Sequence, residues 1–173
     1  MKLPKIFVNA LHRRAMAIMG KRDPDFIIGS EASPYLRRWW VIPRNRFFNV
    51  YLHVFLRDDG DRVLHDHPWA SCSIILDGGY TEELPGQVKV WRAPGTVVVR
   101  RATAAHRVEL ARDRRYLCGS SDLHSFSLPA TSIFLTGPTI RAWGFHCPKG
   151  WVHWRDFVKA GNPGEVGRSC GES

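Results

Sequence analysis

From Trp39 onward the chain is a succession of short β-branched and aromatic runs: "FFNVYLHVFL", "DRVLHDHPW", "SCSIIL", "QVKVWRA", "GTVVVRR", "AHRVEL", "TSIFLTG" and "IRAWGF", separated by Gly, Asp and Pro. Strands this short cannot bury a face alone. Several of them at close spacing, with turns between, must pack against one another as a sandwich or barrel. The 173 residues are 44% hydrophobic and 12% aromatic, enough for one core and too apolar for a disordered chain. No internal repeat or domain boundary interrupts them.

Only the two ends read as helical. "MKLPKIFVNALHRRAMAIMG" has the pattern of a basic amphipathic helix, followed by a loop broken at Pro24 and Gly29. Near the other end, Trp151, Trp154, Phe157 and Val158 repeat at helical spacing. The expected organisation is a basic helix and arm over 1–46 packed on the barrel, a mainly β barrel over 47–160, and a flexible tail over 161–173. His12, Arg13 and Arg14 interrupt the first apolar stretch, which is therefore a poor signal peptide. No apolar run approaches the ~18 residues of a membrane span. Cys72, Cys118, Cys147 and Cys170 make neither a CxxC pair nor a regular disulfide framework, so a reduced, cytoplasmic setting is expected.

The formal charge is +9, and residues 1–48 hold ten Lys/Arg against three Asp/Glu, or +7 of it. Such an arm suits nucleic acid, an acidic membrane face or an acidic partner, or is simply a solvated surface. No nucleic-acid motif accompanies it.

The chemistry concentrates in "LHDHPW". Residues two apart on an extended strand point the same way, so His65 and His67 can reach one metal ion, or decorate one face of a sheet. "NVYLHVFL" and "RVLHDHPW" flank the turn-rich "RDDGD", which predicts an antiparallel hairpin with His53 opposite His65 and Tyr51 opposite His67. All four side chains then share a face. A register shift of one flips one strand's set. Tyr51 and His53 would line a pocket as proton-transfer groups, or fill the barrel as a hydrogen-bonded pair.

The residues around the pair have a distinctive spacing. Four residues intervene between His67 and Cys72, and six between Cys72 and Gly79; Gly60 precedes the pair. Further on, "PGTVVVRRATAAHRV" places Gly95 before an apolar strand and ends on His106. Over residues 47–145 this resembles the two motifs of the cupin superfamily, with Cys72 where the first motif has Glu and Thr96 where the second has Asp. The resemblance implies a double-stranded β-helix, a jelly-roll barrel. It also implies that His65, His67 and His106 ligate one divalent transition metal, Fe(II) first, with Zn, Ni or Mn as alternatives. Positions opposite the three histidines would stay open to water, substrate or O₂.

Within the superfamily, His65, His67, Cys72 and His106 look similar to the thiol dioxygenases. The Tyr of their relay is absent, since "DLHSF" places Asp122, His124 and Phe126 there. Cys72 is read three ways: a small buried residue, a soft ligand, or a group just behind the ligands. One of Arg100 and Arg101 should face inward, toward a substrate carboxylate or phosphate or in a salt bridge. Trp143, Trp151 and Trp154 would seal the barrel mouth, hold the helix on a sheet, or belong to a homodimer interface. The expected function is an Fe(II)/O₂-dependent oxygenase of a small metal-chelating substrate. The alternatives are a metal-dependent sugar or acid isomerase, epimerase or lyase, and a non-catalytic module binding a small ligand or nucleic acid.

Overall fold

A computed structural model of the chain describes residues 1–30, 32–59, 63–116, 123–160 and 162–170. Helix α1 (Lys5–Met19) starts behind Pro4, whose ring presets φ, and stops at Gly20. Val8, Leu11, Ala15 and Ile18 recur at helical spacing and form its inward stripe. Strands β1 (Phe26–Gly29), β2 (Pro34–Trp40), β3 (Asn49–Phe55), β4 (Ser71–Asp77), β5 (Tyr80–Leu84), β6 (Val88–Arg92), β7 (Val97–Arg100) and β8 (Arg107–Leu110) come next. The chain continues through β9 (Arg112–Tyr116), β10 (Leu123–Ser127), β11 (Ala130–Thr136), β12 (Gly144–Cys147) and β13 (Gly150–His153). A one-turn helix α2 (Trp154–Phe157) and the short pair β14 (Val158–Lys159) and β15 (Asn162–Val166) close it.

Two sheets make the jelly roll. The larger runs β1-β2-β3-β11-β4-β7, and the smaller runs β6-β5-β8. Ile75 and Ala130 of the first meet Tyr80, Val108 and Leu110 of the second in a buried cluster that joins the sheets. The outer face of the large sheet carries Trp39, Leu52, Ile74, Leu76 and Ile133, and α1 packs on it through Leu11, Ala15 and Ile18. Strand parity sends the alternate residues inward: Arg38 on β2, Tyr51 and His53 on β3, Phe134 on β11 and Ser73 on β4. The turn between β4 and β5 is Gly78–Gly79, with φ +69° and +132°. A Cβ on Gly78 would lie 2.3 Å from the Pro129 carbonyl, so the close approach of the two chain segments depends on glycine there.

Three expectations change. The proposed hairpin does not form: β3 pairs with β2 and β11, setting His53 opposite Arg38 and Ser132, not opposite His65. Tyr51 correspondingly lies opposite Trp40 and Phe134. The stretch read as loop and arm after the first helix contains β1 and β2, two strands of the large sheet. β2 escapes a simple alternation rule because a charged residue, Arg38, faces the interior while Trp39 is buried under α1. The segment read as a tail holds β15, paired with β14, and Cys170 is disulfide-bonded to Cys147. That bond joins residues 23 positions apart, a separation with no motif to announce it. Gly60 and Asp122 lie outside the described residues.

Candidate metal centre

The "LHDHPW" stretch is extended but belongs to no long strand. It is clamped between two neighbours. On one side the His65 N–H donates to the His106 carbonyl (2.9 Å), the His106 N–H donates back to the His65 carbonyl (3.0 Å), and the His67 N–H donates to the Ala102 carbonyl (3.1 Å). On the other side the Asp66 N–H donates to the Gly144 carbonyl and the His146 N–H to the Leu64 carbonyl. The period of two then does the rest. His65 and His67 turn into the barrel, and Asp66 turns away to accept from Gly144 N–H (2.9 Å) and Trp151 Nε1–H (3.1 Å). Asp66 also pairs with Arg141 at 3.0 Å and is 1% exposed. It anchors the histidine segment to β12 and β13.

Inside, His65, His67 and His106 each offer a ring nitrogen, and the three nitrogens lie within 4.8 Å of one another. Nε2 of His67 and Nε2 of His106 are 2.9 Å apart. Two ligand nitrogens each about 2.1 Å from one ion, at roughly a right angle, have that separation. Burial, then the neighbouring His65 and His106, pulls His67 well below its ordinary range, so its ring is neutral and its lone pair is available. The donor set fits a divalent transition metal. Among the described residues no carboxylate or thiol completes the group, which leaves the cavity side open to a ligand.

Glu82 is the residue sequence reasoning missed. It is 0% exposed. Its Oε1 sits 2.9 Å from His106 Nδ1 and accepts from Arg100 Nε (2.6 Å), while its Oε2 accepts from Arg92 Nε (2.7 Å). Arg100 also donates to Ser73 Oγ at 2.9 Å. Burial raises the Glu82 carboxyl, but the His106 hydrogen bond and the Arg100 charge outweigh it and hold it at about 2, ionised. An ionised acceptor at Nδ1 leaves the His106 lone pair on Nε2, facing His67. The available signal was the alternation Tyr80, Glu82, Leu84, which puts an acid on an inward parity. Arg100 is thus the inward arginine of its pair, and its charge is spent on Glu82.

The three histidines line a cavity of about 470 Å³. Tyr51 and His53 line it too, although through the large sheet and not through a hairpin with the histidine segment. His53 Nε2 accepts from Arg38 Nε at 2.8 Å, and burial, then the Arg38 charge, keeps the ring neutral. Phe134 stacks on His53 (centroids 4.9 Å apart) and lies 6.2 Å from the His67 ring. Trp40, Trp69, Trp143 and Trp154 complete much of the wall, whereas Trp151 is turned to Asp66. Cys72 is not brought to the centre. It pairs with Leu135 and Val99, next to the inward Ser73, and so lies on the outer parity of the sheet. His124 is on β10, away from the cavity lining.

No family model matches the sequence, and no curated relative does. Solved structures do. The DMSP lyase DddQ from Ruegeria pomeroyi is 15% identical over 82% of this chain and 70% of its own, with a TM-score of 0.53. Rru_A2000 from Rhodospirillum rubrum, a cupin-2 domain, is 12% identical over 72% and 76%, with a TM-score of 0.52. The fold is the cupin fold. At these identities the likeness carries the architecture and no activity. Within this cupin barrel the three-histidine group can hold a metal ion, and among the described residues no helix is long and apolar enough to cross a membrane.

Proposed function

We propose that this cupin is a metal-dependent enzyme that oxygenates a small substrate able to chelate its metal, with Fe(II) held by His65, His67 and His106. One observation carries the reading. Three converging imidazole nitrogens stand in the wall of an aromatic-lined cavity, with no fourth protein ligand among the described residues. Fe(II) in such a site supplies Lewis acidity and, with O₂, one-electron chemistry.

The chain's own residues do the rest. Glu82 fixes the His106 tautomer through Nδ1. Tyr51, 4% exposed and in the cavity wall, is the proton-transfer group. His53 has its Nε2 lone pair engaged by Arg38, so it serves as a hydrogen-bond donor through Nδ1 and not as a base. Trp69, Phe134 and Trp143 keep bulk water from the site.

A second reading keeps the metal and dispenses with O₂: a lyase or isomerase using the ion as Lewis acid. It is favoured by a tyrosine placed under a cation, with the Arg38 guanidinium 4.9 Å from the Tyr51 ring. Anaerobic Fe(II) loading, then O₂-uptake assays on small thiols, diketones, catechols and carboxylic acids, separates the two. Oxygen uptake stoichiometric with substrate loss supports the oxygenase. Turnover that persists without O₂ transfers the assignment to the second reading. Failure to turn over any substrate with any metal removes both.

A further inference from the structure

The cavity has two poles, and only one holds the His65, His67 and His106 group. At the other stands Arg38, inward on β2, donating through Nε to His53 at 2.8 Å and resting over the Tyr51 ring. Arg44 shares this wall and lies over Trp40, 5.5 Å from its centroid. Buried Arg100 and half-buried Arg92 share Glu82, and half-buried Arg141 pairs with Asp66 outside the cavity. Among the described residues, Arg38 and Arg44 form no ion pair. Asp59, a carboxylate in the cavity lining, is committed elsewhere: it accepts from Val108 N–H at 2.8 Å and faces His65 at 3.9 Å.

A half-buried guanidinium among Tyr51, Trp40 and Phe55 keeps only part of its hydration and has no anion in exchange. Burial lowers Arg38 to about 10, and the like charge of Arg44 adds to that; at neutral pH it is still a cation. Such an arrangement persists when a ligand supplies the missing charge.

We infer that Arg38 is the seat of a substrate carboxylate, and that the substrate is a small carboxylic acid lying across Phe134 with its other end toward His65, His67 and His106. The fork of Arg38 Nη1 and Nη2 matches the two oxygens of a carboxylate. With Nε2 engaged, neutral His53 carries its proton on Nδ1, and the Arg38–His53 bond fixes the guanidinium plane. Phe134 touches both His53 and His67, so one aromatic ring separates the two poles and the acid must be short. Arg100, the arginine that sequence parity offers for this task, is excluded by its bond to Glu82.

The inference rests on the metal-enzyme reading only for what the far end of the substrate meets. It is tested on the whole protein, with and without Fe(II), by tryptophan-fluorescence titration with butyrate, butyramide and inorganic phosphate. The four indoles of the cavity wall report occupancy. Butyrate is expected to bind at least about tenfold tighter than butyramide and than phosphate, a factor worth about 1.4 kcal/mol. Arg38→Met should lose that preference, and Arg38→Lys should keep part of it, while both retain the metal content of the parent. Equal binding of acid and amide by the unaltered protein overturns the inference without recourse to any variant. Tighter binding of phosphate, or an undiminished preference in Arg38→Met, also overturns it. Carboxylate preference in protein whose histidines take up no divalent metal on loading would uphold the Arg38 seat and defeat the metal-enzyme reading; metal taken up without carboxylate preference would do the reverse.

Discussion

Glu82 Oε1 stands 2.9 Å from His106 Nδ1, on the side of the ring opposite the nitrogen that faces His67. A metal held at Nε2 would feel this carboxylate only through the imidazole, whose proton it favours on Nδ1. Glu82→Gln should lower metal affinity by about 10–100-fold, the usual effect of losing such a partner. Competition against a chelator of known affinity measures it. Unchanged affinity would mean that the carboxylate serves only to neutralise Arg92 and Arg100.

The same carboxylate makes an acid-range prediction. Glu82 is held at about 2 in the folded chain, against an ordinary 4.5. Between those values the unfolded chain binds more protons than the folded one, so the stabilisation is fully present above about 4.5 and is lost as the pH falls toward about 2. Urea unfolding of the parent and of Glu82→Gln across this range should show their stability gap closing as acid is added. A gap independent of pH would contradict the assignment.

Cys72 occupies the place of the cupin Glu in sequence but the outer parity of β4 in space. Cys72→Ser should leave the bound metal unchanged by elemental analysis. His65→Ala combined with His106→Ala should abolish it. Equal metal in that double variant and the parent would remove the site.

Tyr51→Phe deletes one oxygen from the cavity wall and keeps the ring under Arg38. If its hydroxyl moves the proton, kcat should drop by about 10²-fold or more with metal content intact. A change confined to KM would make Tyr51 a binding group.

The disulfide between Cys147 and Cys170 ties the last described residues to the cluster of Phe145, Phe157 and Val158, next to Trp143 and Trp154. Closing a loop of this length restricts the unfolded chain by about 3 kcal/mol. Unfolding monitored by indole fluorescence should show a loss of that order on reduction or in Cys147→Ser. No difference between reduced and oxidised protein would indicate that the pair does not form.

The legible part of this protein was what local periodicity controls. Short strands with turns between them specified stacked sheets, and alternation placed His65 and His67 on one face with Asp66 on the other. The family-like spacing to His106 supplied the third ring. Tertiary structure decided what covers each face. β3 is flanked by β2 and β11, so His53 met Arg38 from an upstream strand and not His65 from the adjacent run. Glu82 reached His106 because β5 pairs with β8. Cys72 went outward by one residue of register, and Cys147 found Cys170 across 23 positions. Residue order along a strand is a property of the chain itself, but a charge is countered or left bare by neighbours that only the pairing of distant strands brings within reach.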